Sequence, residues 1–141
     1  MLKFPNIRTA IVALILLSAT TILYPQNLVG LREPDIVKYM KANMQNYSID
    51  KDIVNSIHKY LKYSTGDGMQ TLLVFFNDKG YCKEVRLSLD RSLYSTKVRE
   101  LDSAYTKMNN SEWLEKKGRH QYRITLTDDK WYYTLKITEK K

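Results

Sequence analysis

Cysteine is all but missing: Cys82 is the single one in 141 residues, so no internal disulfide can form and a folded domain must rest on its core. Beside a strand, a lone thiol reads as a small buried hydrophobe. Histidine is almost as scarce, and His58 and His120 stand far apart, without the nearby carboxylates or thiols of a metal site or triad. The five glycines form no phosphate-cradling loop, and neither a nucleophile elbow nor a paired-histidine helix motif occurs. The sequence therefore names no catalytic residue, no metal ligand and no cofactor. Asp67, Asp78, Asp128 and Asp129 sit in turn contexts, where Asp is favoured for its own backbone hydrogen bonds; calcium ligation is the lesser reading.

Acidic residues are also missing from everything before Glu33. Lys3 and Arg8 lead instead into an uncharged run from Thr9 to Leu31 with an aliphatic core beginning at Ala10, the basic and apolar regions of a secretory signal. The pairs Ser18/Thr20 and Ala19/Thr21 are weak cleavage sites. An apolar stretch of about 15 residues, Ala10 to Tyr24, falls short of the roughly 20 that span a bilayer, which favours a signal over a permanent anchor. The expectation is residues 1–26 as signal peptide or membrane anchor and 27–141 as one small α+β domain, secreted or periplasmic, or membrane-anchored with the domain outside the cytoplasm.

What remains is globular in composition, with 43% hydrophobic and 27% charged residues. Without Lys3 and Arg8 the net charge falls from +8 to +6, a modest excess that suits an acidic protein, a glycan or an anionic lipid head group. Nucleic acid ranks last, because export precedes function. Eleven tyrosines against three phenylalanines imply rings at the edge of the core, where the hydroxyl reaches water.

Along the domain, Pro34 and the acids around it precede Ile36, Val37, Met40 and Met44, which predicts a helix from Glu33 to about Met44. Tyr47 to Tyr63 supports two readings, helix through Ile53 and Ile57 or strand, with strand favoured from about Lys59. Thr71 to Asn77 is apolar at every interior position and predicts a central strand covered on both faces, and Val85, Leu87 and Leu89 alternate as a half-buried partner. Tyr94, Val98, Leu101, Tyr105 and Met108 space as one amphipathic helix. Trp113 and Leu114 are expected to fold back as a lid before a polar loop from Glu115 to Gly118. Alternation in Tyr122 to Thr127 and Trp131 to Thr138 predicts a second hairpin.

These elements sum to an α+β fold: an antiparallel sheet of four to five strands with two helices packed on one face, in the order α-β-β-β-α-β-β, behind the N-terminal signal or anchor helix. The order is similar to that of type III secretion chaperones, with Val98 to Met108 as the middle helix. Those chaperones work inside the cell without an export signal, and no residue role is carried over. Asp78-Lys79 and Asp129-Lys130 recur in the two hairpin turns, which fits either a duplicated helix-hairpin unit or turn chemistry alone.

One functional signal is positive. Arg86, Arg123 and Lys136 fall on the polar sides of three strands, interleaved with Thr125, Thr134 and Tyr132. The bland reading is a solvated sheet face; the sharper one is a docking face of Arg86, Arg123, Lys136 and Tyr132. The function expected is an exported, non-catalytic binding or accessory protein of the cell envelope or extracellular space. The alternatives are a small enzyme with a site assembled from dispersed residues, and an exported structural protein without a specific ligand.

Overall fold

A computed structural model describes residues 27–50 and 59–141 of the chain. The N-terminal signal or anchor and the ambiguous stretch around Ile53 and Ile57 lie outside the described residues. Helix α1 (Glu33–Asn43) is followed by strands β1 (Tyr47–Ile49), β2 (Tyr60–Thr65), β3 (Gln70–Phe76) and β4 (Cys82–Asp90). A short 3-10 turn (Arg91–Leu93) leads into α2 (Tyr94–Ala104) and then β5 (Thr106–Asn109), β6 (Glu112–Lys117), β7 (His120–Asp128) and β8 (Tyr132–Glu139).

The strands form one eight-stranded antiparallel sheet in the order β1-β2-β3-β4-β8-β7-β6-β5. This corrects the expected four to five strands and the order α-β-β-β-α-β-β, and with it the likeness to the chaperones' element order. The architecture is instead one helix and four strands, given twice. β4 and β8 meet at the centre with Leu87 opposite Leu135, Val85 opposite Ile137 and Leu89 opposite Tyr133, so the strand order reads the same outward in both directions. Because β4 and β8 run antiparallel, the two Asp-Lys turns that precede them lie at opposite ends of the sheet.

The missed strands have physical reasons. β5 is exposed at every position and β6, Glu-Trp-Leu-Glu-Lys-Lys, is mostly polar, so neither carries a clean period of two. The helical spacing of Tyr94 to Met108 runs past the real helix end: Tyr105 adopts an extended backbone, with φ −130° and ψ 163°, and Met108 sits in the edge strand, 55% exposed. Trp113 is no lid. It is wholly buried in β6, opposite Ile124 of β7, and Glu115 to Lys117 continue that strand rather than forming a loop.

One face of the sheet carries the core. Leu72, Val74, Val85, Leu87, Leu89, Trp113, Ile124, Leu126, Leu135 and Ile137 are buried there together with Ile36 and Met40 of α1 and Leu101 of α2. Both helices lie on this side. Tyr94 of α2 stacks on Tyr133 of β8 at 4.2 Å between ring centroids, and the Trp113 indole Nε1 donates to Asp102 of α2 at 2.8 Å. The buried Lys97 ammonium pairs with Glu100 on the same helix. Asn27, Leu28 and Val29 are buried as well, and the backbone of Gly30 and Leu31 brackets Cys82 through two hydrogen bonds of 2.8 Å each.

The β3–β4 turn shows why the sequence chooses its residues. The Asn77 side-chain oxygen accepts from the backbone N–H of Lys79 and of Tyr81, each at 3.0 Å, and Gly80 takes a φ of 80° that disfavours any residue with a Cβ. β3 itself needs a second correction, since Leu72, Val74 and Phe76 are buried while Leu73 and Phe75 on the other side are only half-buried. Its apolar run does not mean two covered faces.

Tyr63 of β2 is 4% exposed, and its hydroxyl is buried with no hydrogen-bond partner among the described residues. An unmet buried hydroxyl carries a desolvation cost of about 1–3 kcal/mol. Tyr63→Phe is therefore expected to raise the unfolding free energy by about 1 kcal/mol, read as a higher urea midpoint at unchanged slope. A loss of stability would mean that the hydroxyl has a partner.

Candidate functional site

Strand register turns the uncovered side of the sheet into cross-strand rows. The first runs Tyr60, Phe75, Glu84, Thr138, Arg123 and Leu114 from β2 to β6. The second runs Lys62, Leu73, Arg86, Lys136, Thr125 and Glu112, and the third is Ser64, Thr71, Ser88, Thr134 and Thr127. None of these residues is buried. Alternation put them here: each stands one position before or after a residue of the core side, and one position along a strand is the opposite face.

The four residues singled out in the sequence do share this face. Arg86 and Lys136 stand directly opposite each other on β4 and β8. Arg123 lies diagonally beyond Lys136, on β7, opposite Thr138. Tyr132 lies four positions along β8 from Lys136, 43% exposed. Arg86, Lys136 and Tyr132 line one open depression of about 390 Å³, with Leu73, Ser88, Thr127, Asp129 and Thr134 as the rest of its wall. Arg123 is outside that wall.

The electrostatics differ from the basic face that residue counting suggests. Arg86 Nε pairs with Glu84, two positions along its own strand, and the guanidinium lies 4.9 Å from the Phe75 ring centroid. Arg123 pairs with Glu112 of β6 at 2.9 Å, and Lys62 with Asp50 at 3.2 Å. Of the four cations in these rows, Lys136 alone has no carboxylate at ion-pair distance among the described residues. Asp129 in the depression is engaged locally, accepting from the Thr134 hydroxyl at 2.7 Å.

Sequence reading expected hydroxyls on this face through Thr125 and Thr134, and what it missed is their alignment into a row. Ser64, Thr71, Ser88 and Thr127 have no side-chain hydrogen bond among the described residues, so each hydroxyl presents a donor and acceptor capacity to solvent. With strands about 4.8 Å apart, the five residues of the row span about 19 Å. The signal was present in each strand as a polar position, but the register that lines the positions up belongs to the sheet.

The ionisable groups with displaced pKa values lie elsewhere. Burial pushes the Cys82 thiol, and the phenols of Tyr47 and Tyr105 against the core, each up to about 12. Hydrogen bonds hold the carboxyls of Asp67, Asp90, Asp102 and Asp128 below the usual range: Thr65 on Asp67, Ser92 on Asp90, Trp113 on Asp102 and Arg91 on Asp128. The aspartates considered for calcium fall at three separate connections, Asp67, Asp78 and the adjacent pair Asp128 and Asp129, and no group of three or more His, Cys, Asp or Glu is placed to hold a metal ion among the described residues. His120 pairs with Glu139 at 2.6 Å, and His58 lies outside the described residues. No described helix is long and apolar enough to cross a membrane.

Compared with known proteins, the chain matches no family model, no curated protein and no solved structure.

Proposed function

We propose that the chain is an exported, non-catalytic binding or accessory module that holds its partner on the open sheet face, with the domain outside the cytoplasm. The observation that carries this reading is the depression at the β4–β8 junction, where Arg86, Lys136 and Tyr132 converge on a surface that no described element covers. Antiparallel sheets often leave one face to water, but a concavity lined by a cation, a guanidinium and a phenol has the mixed polar lining of a recognition surface. The enzyme alternative draws less support. The displaced groups lie on the covered side, the Cys82 thiol buried and the Tyr47 and Tyr105 phenols half-buried, and a pKa of about 12 keeps all three protonated at neutral pH.

Affinity capture from the native cell envelope tests the reading, with Arg86→Glu/Lys136→Glu as the matched control. Both side chains are exposed, so the variant keeps its fold, checked by circular dichroism. Wild type is expected to retain a partner that the double variant loses by tenfold or more. Equal retention by both forms rejects the open face as the docking surface.

A further inference from the structure

Resting on that reading, we infer that the occupant of the open face is an extended polysaccharide of low charge density, laid across the strands along the hydroxyl row, with one acidic sugar at Lys136. Two features of the face choose among anionic partners. The first is the charge pattern: Arg86, Arg123 and Lys62 are already compensated by Glu84, Glu112 and Asp50, which leaves Lys136 as the one cation of these rows without an ion pair among the described residues, while Lys116 of the same face stands apart from the depression, opposite Gln121 and four positions along β6 from Glu112. A lipid surface, a densely sulfated polymer or a strongly acidic protein each needs several uncompensated cations to gain from its own repeated charge. One carboxylate needs one.

The second feature is the run of hydroxyls. Ser64, Thr71, Ser88 and Thr127 each offer a donor and an acceptor without a competing side-chain hydrogen bond among the described residues, which complements a polymer that itself presents hydroxyls of both kinds at regular intervals. The row runs perpendicular to the strands for about 19 Å, longer than one sugar and suited to a short oligosaccharide. Tyr132 stands at the margin of the depression, where a phenol ring can cover the apolar face of a sugar. The residues Arg86 and Lys136 lie one same-face step, about 7 Å, from Ser88 and Thr134, so an acidic substituent can reach the cation while the chain follows the hydroxyls.

The experiment is titration calorimetry of the full chain with uronate oligosaccharides of increasing length, beside their carboxyl-reduced counterparts, a heavily sulfated oligosaccharide, polyglutamate and anionic vesicles. Affinity for the uronate series is expected to rise with length until the row is spanned and then to level off. Its logarithm should fall against that of salt with a slope of about one, for one ion pair. Lys136→Ala should weaken binding about tenfold, as should carboxyl reduction, in keeping with loss of one charged hydrogen bond. Thr71→Val/Thr127→Val should weaken it at unchanged thermal midpoint, because Val matches Thr in shape and strand preference. Preferred binding of the sulfated polymer, polyglutamate or vesicles with a slope of several overturns the polysaccharide while leaving a binding face in place. Binding of uronates that is indifferent to Lys136 and to the two threonines overturns the placement. If no probe binds and the envelope capture also fails to separate wild type from Arg86→Glu/Lys136→Glu, the binding reading itself falls.

Discussion

Trp113→Ala is expected to lower the unfolding free energy by about 3–5 kcal/mol, the range for removing a large aromatic from a core that cannot collapse around the gap. Trp113 is fully buried at the far side of the sheet from β1, opposite Ile124, and its indole N–H bonds the Asp102 carboxylate. One side chain thereby ties β6 to the sheet and α2 to β6. Since a domain of this size holds roughly 5–15 kcal/mol in all, the loss is about a fifth or more of its stability. Urea unfolding followed by circular dichroism measures it. Trp113→Phe separates the two contributions, keeping much of the ring contact while losing the hydrogen bond, and should cost clearly less. A loss below about 1 kcal/mol for the alanine variant would show that β6 is held by its neighbours alone and that the indole is incidental to the core.

Cys82 is expected to react with iodoacetamide at pH 8 at least about a thousandfold more slowly in the folded protein than in urea. The thiol is 2% exposed, and burial raises its pKa from 9.0 to about 12. At pH 8 that leaves a thiolate fraction of about one in ten thousand, against about one in ten for the unfolded chain, and the thiolate is the reactive form. The same shift has a stability consequence of definite sign. A folded pKa raised above the unfolded one contributes stability that is complete below the unfolded value and is lost as pH rises through the folded one, here from 9 towards 12. The reaction also reports on the strap that brackets Cys82 through Gly30 and Leu31. Labelling at nearly the unfolded rate in the absence of urea would mean that this strap opens locally and that the buried environment is not maintained.

Much of the fold was legible as alternation. β4, β7 and β8 contain Val, Leu, Ile and aromatic residues at a period of two, β3 shows as a continuous apolar run, and these central strands carry most of the core. The edges were not legible. The edge strands β1 and β5 have three and four residues, because an edge strand gains little from apolar residues and is safer without them, and β6 beside β5 is mostly charged around its one buried Trp113. Tyr105 and Met108 continued the helical spacing by coincidence, and only the extended backbone at Tyr105 reveals the break.

The candidate site divides in the same way. That Arg86, Arg123, Lys136 and Tyr132 belong to one side follows from parity along each strand, once the core side is known. The neutralisation of Arg86 by Glu84 was open to inspection, two positions apart on one strand. The pairing of Arg123 with Glu112 was not, since it depends on a β6–β7 register that joins residues eleven apart through a strand the sequence conceals. Sequence alone determined the scarcity of reactive groups, the alternating core and the kind of residue facing water. Tertiary structure decided which polar residues stand side by side, because lateral neighbours in a sheet come from register between strands, and register is set by the packing of the whole face.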